Sequence, residues 1–103
     1  MFSVVETDAA MEDMRETLAY LKYRTGGKQA GANLLDAYEK LIEVLENTPL
    51  AFPVVADQIV SSLGYRWARI RSYIVLYTVS ESEGVVFIER IEHESRNWRA
   101  LLG

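Results

Sequence analysis

The sequence predicts an α+β domain in which an N-terminal strand and an α-helical hairpin are packed on an antiparallel sheet, in the order β-α-α-β-β-β with a short C-terminal helix. Three observations carry this. Two apolar stripes with helical spacing follow one another across Gly26-Gly27. Three apolar runs with strand composition then follow one another across short polar turns. At 103 residues, 50% of them hydrophobic, the chain fills one two-layer core and forms a single domain spanning residues 1–103.

Phe2 to Glu6 (FSVVE) is a short apolar run ending at Thr7-Asp8. Thr7 is a good N-cap, and Asp8, Glu12 and Asp13 complement the positive end of the helix that it opens. Met11, Met14, Leu18 and Leu21 share one face of that helix, which should stop at Gly26-Gly27. A second stripe, Leu34, Tyr38, Leu41 and Leu45, is flanked by Leu35 and Ile42 and ends at Asn47-Thr48-Pro49. Two amphipathic helices joined by a few residues form an antiparallel hairpin whose stripes must cover another apolar layer.

That layer follows a connector containing Pro49 and Pro53. Gly64 opens Tyr65 to Arg71, anchored by Trp67, and Arg71-Ser72 suits a turn. Tyr73 to Val79 (YIVLYTV) is apolar on both faces, as expected for a central strand. After the polar loop Ser80 to Gly84, Val85 to Glu92 resumes a strand. Simple alternation places Val85, Phe87, Glu89, Ile91 and His93 on one face and Val86, Ile88, Arg90 and Glu92 on the other. Asn97 to Leu102 makes a last helical turn, with Ser95 as its cap and Trp98, Leu101 and Leu102 on one side. Short loops between the three late strands require an antiparallel meander.

Eleven Lys and Arg against fifteen Asp and Glu leave a net charge of −4. This balance is unlike that of a nucleic-acid-binding domain, which is usually strongly basic. The sign is divided along the chain. Residues 1–59 hold five basic and ten acidic side chains, whereas residues 60–103 hold six basic and five acidic ones, and all six cations are arginine. Arginine's planar fork suits phosphate or carboxylate, so the C-terminal part can face an anion. With no cysteine, disulfides, thiolate metal sites and cysteine nucleophiles are excluded, which fits a reducing compartment. No Lys or Arg precedes Arg15 and no long apolar run occurs, so neither a signal peptide nor a membrane span is expected and the reading is cytoplasmic.

Little in the sequence marks chemistry. Gly26-Gly27 follows a helix and lacks the spacing of a phosphate cradle. The acid pairs Glu12-Asp13 and Glu92 with Glu94 read as solvated helix-start and strand-edge groups, and no metal or cofactor is expected. His93 is the only histidine, the one side chain that titrates near neutrality, and Arg90 and Arg96 stand close to it in sequence. An imidazole among guanidiniums can move protons on a phosphodiester while the cations hold the charge developing on phosphorus. It can equally hydrogen-bond a carboxylate or a backbone carbonyl where the strand meets the terminal turn. Trp67, Tyr73, Tyr77 and Trp98 can stack on bases or serve as core and interface anchors.

Taken together, the Leu18-Ala19-Tyr20-Leu21 helix, the Leu45-to-Pro49 helix end, Gly64-Tyr65-Arg66, Tyr73 to Tyr77, Val86 to His93, and Arg96-Asn97 with the closing Leu101-Leu102 resemble the RelE/ParE superfamily of bacterial toxins over almost the entire chain. The resemblance implies a growth-inhibiting toxin of a type II toxin–antitoxin module, of the kind that stabilises plasmids. It also implies a cognate antitoxin whose C-terminal segment wraps the helices and sheet in a hetero-oligomer. ParE-like members poison DNA gyrase by protein contact, and RelE-like members cleave messenger RNA on the ribosome. The helix hairpin and the His93-x-x-Arg96-Asn97 tail resemble ParE-like members more, although aspartate is usual where Asn97 stands. If the chain is RelE-like, the resemblance assigns catalysis to His93, Arg66 and Arg96. On either reading Arg69, Arg90 and Arg99 are expected to contact phosphate or target, and Trp67, Trp98 and Leu101 to bind the partner.

Overall fold

The computed structural model describes residues 1–56 and 64–101. Strand β1 (Ser3–Glu6) leads into helix α1 (Asp8–Thr25) and helix α2 (Gln29–Asn47). Strands β2 (Arg66–Ile70), β3 (Tyr73–Ser80) and β4 (Val85–His93) follow, and a 3₁₀ turn spans Trp98–Leu101. Leu102, expected in that last turn, and residues 57–63 of the connector lie outside the described residues. No helix among the described residues is long and apolar enough to cross a membrane.

Thr7 caps α1, its hydroxyl accepting the Ala10 N–H at 3.1 Å while donating to the Glu89 carbonyl at 3.0 Å. One side chain therefore starts the helix and fastens it to the sheet. The helix ends at Gly26, whose φ of 68° is the left-handed conformation that glycine adopts without strain. On α2 the expected stripe is the buried face: Leu34, Tyr38, Leu41 and Leu45. On α1 the buried positions are Ala10 and Met14, continued by the partly buried Leu18 and Leu21, while Met11 is half exposed. The expected stripe thus holds at Met14, Leu18 and Leu21 and begins at Ala10 in place of Met11, because the Thr7 cap draws Ala10 against the sheet.

The sheet order is β1-β4-β3-β2. Strands β2, β3 and β4 form the expected meander, and β1 joins β4 in parallel, which makes the sheet mixed. Both helices lie on one face, over Ala68, Ile70, Val75, Tyr77, Val86, Ile88 and Ile91. The opposite face of β3 is covered by the chain itself, with Val55 and Trp98 closing over Ile74 and Leu76. β3 is therefore buried on both sides, as its composition requires.

One correction decides where the site lies. Leu76 pairs with Arg90 and Tyr77 with Ile88, so Glu89 is an extra residue without a cross-strand partner. This β-bulge reverses the alternation halfway along β4. Ile91 and His93 join Val86 and Ile88 on the helix side, and Arg90 and Glu92 lie opposite Leu76 and Ile74 of the other face. The uninterrupted alternation expected from sequence holds only as far as Ile88. The displaced carboxylate of Glu89 accepts the Thr78 hydroxyl at 2.8 Å.

Candidate functional site

β1 accompanies β4 only as far as the Glu6–Ile88 pair, which leaves the last residues of β4 with an open edge. Asp13 closes it. Its Oδ2 accepts the Ile91 backbone N–H at 2.9 Å and Arg90 Nε at 2.8 Å, and its Oδ1 accepts Arg90 Nη2 at 3.0 Å. Arg90 Nη2 also donates to Glu92 Oε1 at 3.1 Å. Asp13 and Glu92 are both 8% exposed, which corrects the expectation that these carboxylates are solvated. Burial, reinforced by the Asp13 charge, holds the Glu92 carboxyl above the usual carboxylate range, although Arg96 and Arg90 pull the other way. Asp13 holds the Arg90 guanidinium still more firmly in its charged form.

Past this cluster a groove of about 720 Å³ opens between the helix hairpin and the end of the β3–β4 ladder. Tyr20 and Arg24 of α1 form one wall, Arg71 and Tyr73 lie at the β2–β3 turn, and His93 and Arg96 lie at the end of β4. The Tyr73 and His93 rings meet edge to face with centroids 5.2 Å apart. Burial, and then the neighbouring Tyr20, push the Tyr73 phenol up, so it remains a hydrogen-bond donor. Arg24 Nη1 donates to the Tyr20 hydroxyl at 3.3 Å.

The His93 ring is fixed by its own turn. Ser95 N–H donates to Nδ1 at 3.1 Å, and Ser95 Oγ lies 2.7 Å from the same nitrogen. A ring nitrogen that accepts a backbone N–H uses its lone pair to do so, which places the proton of the neutral imidazole on Nε2. The lone pair that a general base needs is therefore occupied by Ser95.

The cations named from the sequence are dispersed. Arg66 pairs with Tyr77, whereas His93 pairs with Tyr73 two strands away. At about 3.3 Å per residue and about 4.8 Å per strand, the two side chains start about 13 Å apart along the sheet and about 10 Å across it. Arg66 Nη1 donates to the Phe52 carbonyl at 2.7 Å. Arg69 pairs with Glu94 at 2.7 Å. Arg99 lies over the Trp98 ring, 4.2 Å from its centroid. Of the expected catalytic set, only His93 and Arg96 share the groove, and Arg96 Nε stands 3.7 Å from Glu92.

The expected partner-binding residues also separate. Trp98 is buried against the far face of the sheet with Trp67 packed beside it, and Leu101 is 40% exposed. Sequence reasoning missed Asp13, Arg24, Arg71 and Ser95 as site residues. For Tyr20 and Arg24 a signal existed, because an aromatic and a cation four residues apart share one helix face.

A family model described as the ParE toxin of the type II toxin–antitoxin system parDE matches residues 4–98. The chain belongs to that family. Among solved structures, the chromosomal ParDE system from P. aeruginosa is 14% identical with a TM-score of 0.67, covering 90% of this chain and 96% of that one. The YoeB/ParE toxin from Agrobacterium tumefaciens is 18% identical with a TM-score of 0.64, over 89% and 98% of the two chains. A chain of the intact E. coli RelBE toxin–antitoxin complex is 20% identical with a TM-score of 0.57, over 93% and 100%. No curated protein matches the chain in sequence. This ParE-family chain thus has the RelE/ParE fold, with a groove in which only part of the expected arginine set faces the histidine.

Proposed function

We propose that this ParE-family chain inhibits growth by protein contact with DNA gyrase and is neutralised by a cognate antitoxin in a toxin–antitoxin hetero-oligomer. Catalysis of RNA cleavage would need a base with a free lone pair and cations that meet the same phosphate. The observation that carries the reading is the engagement of His93 Nδ1 by Ser95. Arg90, bound by Asp13 and Glu92, and Arg66, at the other end of the sheet, support it. The antitoxin reading draws on the ParDE and RelBE complexes among the structural relatives. A gyrase target would place the activity in the cytoplasm.

The test is induction in bacteria together with a supercoiling assay on purified gyrase and relaxed plasmid. Induced DNA-damage signalling and dose-dependent loss of supercoiling are expected, both retained by His93→Ala. Messages cut at codon boundaries, with the cutting abolished by His93→Ala, would overturn the reading in favour of a ribosome-dependent endoribonuclease.

A further inference from the structure

Helix α2 and its cap carry a second stripe that the fold leaves uncovered. Lys28, Ala32, Leu35 and Glu39 follow one another at spacings of four, three and four residues, the seam spacing of a helix that packs along another helix. The stripe lies beside the buried one of Leu34, Tyr38, Leu41 and Leu45, and all four of its residues are exposed. At its middle a cleft of about 280 Å³ opens between the helices, with Leu18 and Lys22 of α1 on one wall and Gly31, Ala32 and Leu35 of α2 on the other. The helices meet closely there, since a Cβ on Gly31 would lie 3.4 Å from Leu18 Cδ2.

The charges on this face oppose the helix that bears them. No acid occurs between Glu16 and Asp36, a stretch holding Lys22, Arg24 and Lys28, whereas Asp36, Glu39, Glu43 and Glu46 follow with Lys40 as the one cation among them. Lys40 is taken by Asp36 at 3.0 Å. Lys28 stands at the start of α2 without a side-chain cap, no acid lies in the first turn and no base in the last. A helix dipole favours the reverse, an anion at its start and a cation at its end. Neither Lys28 nor Glu39 has an ion-pair partner among the described residues. In the opposite direction the stripe runs Glu39, Leu35, Ala32, Lys28, so an antiparallel copy sets anion against cation and large side chain against small. Such self-complementarity is the condition for a two-fold interface.

We infer that this face of α2 is a self-association surface, on which a second copy of the chain packs antiparallel about a two-fold axis between Ala32 and Leu35. Lys28 of each copy then meets Glu39 of the other, and each Leu35 rests on the opposite Ala32, over the cleft beside Leu18. The antiparallel arrangement also sets each helix end against its opposite, which relieves the misplaced charges. The contact is one helix wide, of the size of transient interfaces, so it forms and dissolves with concentration. It shares no lining residue with the groove beside His93 and does not depend on the function proposed above.

Sedimentation velocity on the full chain over about a hundredfold range of concentration measures the association. A reversible monomer–dimer equilibrium is expected. Leu35→Arg, Lys28→Glu and Glu39→Lys should each weaken it about tenfold, since the axis repeats every contact. Lys28→Glu and Glu39→Lys chains mixed in equal amounts should associate as wild type does, because each then meets its opposite charge, and a chain bearing both substitutions should dimerise again. Misfolding does not explain a loss in Lys28→Glu, because an acid at that position favours the helix, and its circular dichroism spectrum should match that of wild type. Arg71→Glu, a charge reversal at the β2–β3 turn, is the unchanged control. A chain that stays monomeric throughout, a dimer indifferent to Leu35→Arg, or charge variants that mixing does not rescue would each overturn the inference. Equal weakening by Arg71→Glu would make net charge the cause and overturn it too.

Discussion

Asp13 of α1 and Arg90 of β4, 77 residues apart in sequence, form a bidentate pair in which the same carboxylate also accepts the Ile91 backbone N–H. The helix thereby occupies the edge position that β1 abandons after Glu6. An unpaired strand N–H and a half-buried guanidinium would otherwise share that edge, and both are costly to leave unsatisfied.

The first prediction follows from this pair. Asp13→Ala orphans the Ile91 N–H and leaves Arg90 with Glu92 alone, a loss of about 2–3 kcal/mol in unfolding free energy. Asp13→Asn keeps an acceptor for the N–H and should lose roughly half as much. Urea denaturation of both variants measures the difference. Equal losses would mean that the charge pair alone matters and the edge bond does not.

The second prediction concerns pH. Because burial and the Asp13 charge raise Glu92 above its ordinary value of 4.5, the folded protein keeps the proton where the unfolded chain has released it. Stability from this group is complete below that ordinary value and is lost as pH rises through the raised one. Relative to Glu92→Gln, wild type should therefore lose stability as pH rises from the ordinary value of 4.5 through the raised one. Arg96→Ala removes a charge that favours the ionised form and should move this loss to higher pH. Urea midpoints across the range test both, and a pH-independent difference between wild type and Glu92→Gln would refute the account.

The same cluster shows where the sequence is readable. Thr7 as a cap, the stripe of Leu34, Tyr38, Leu41 and Leu45, and the doubly buried β3 depend on neighbours within one or two helical turns or along one strand, and local spacing predicts them. Asp13 depends on Arg90 and Ile91, and nothing in its own vicinity distinguishes it from Glu12, which is exposed and paired with Arg15. The bulge at Glu89 leaves an equally regular alternation whether or not it is present, so the face of His93 could not be read from β4 alone. The groove is likewise tertiary, since Tyr20, Arg71 and His93 come together only through the hairpin and the meander. The sign of the local charge was legible in the run of arginines, but which of them are already neutralised was not.

The third prediction concerns the His93 tautomer. With Nδ1 accepting from Ser95, nitrogen-15 spectra of the neutral ring should show a protonated Nε2 and an unprotonated Nδ1. Ser95→Pro, which removes the backbone donor, should shift the population toward the other tautomer. A protonated Nδ1 in wild type would free the Nε2 lone pair and restore His93 as a possible base for RNA cleavage.

The last prediction concerns the left-handed backbone of Arg71, with a φ of 54°. Releasing a side chain from the left-handed region returns about 1–2 kcal/mol, while glycine's extra freedom in the unfolded chain costs about 0.5–1 kcal/mol. Arg71→Gly should therefore stabilise the fold by about 0.5–1 kcal/mol. Arg71→Asn, which tolerates the same φ better than arginine does, should stabilise it in the same direction. Urea midpoints of the two variants against wild type measure the effect. Loss of stability in Arg71→Gly would show that the arginine side chain contributes more to the turn than its backbone strain costs.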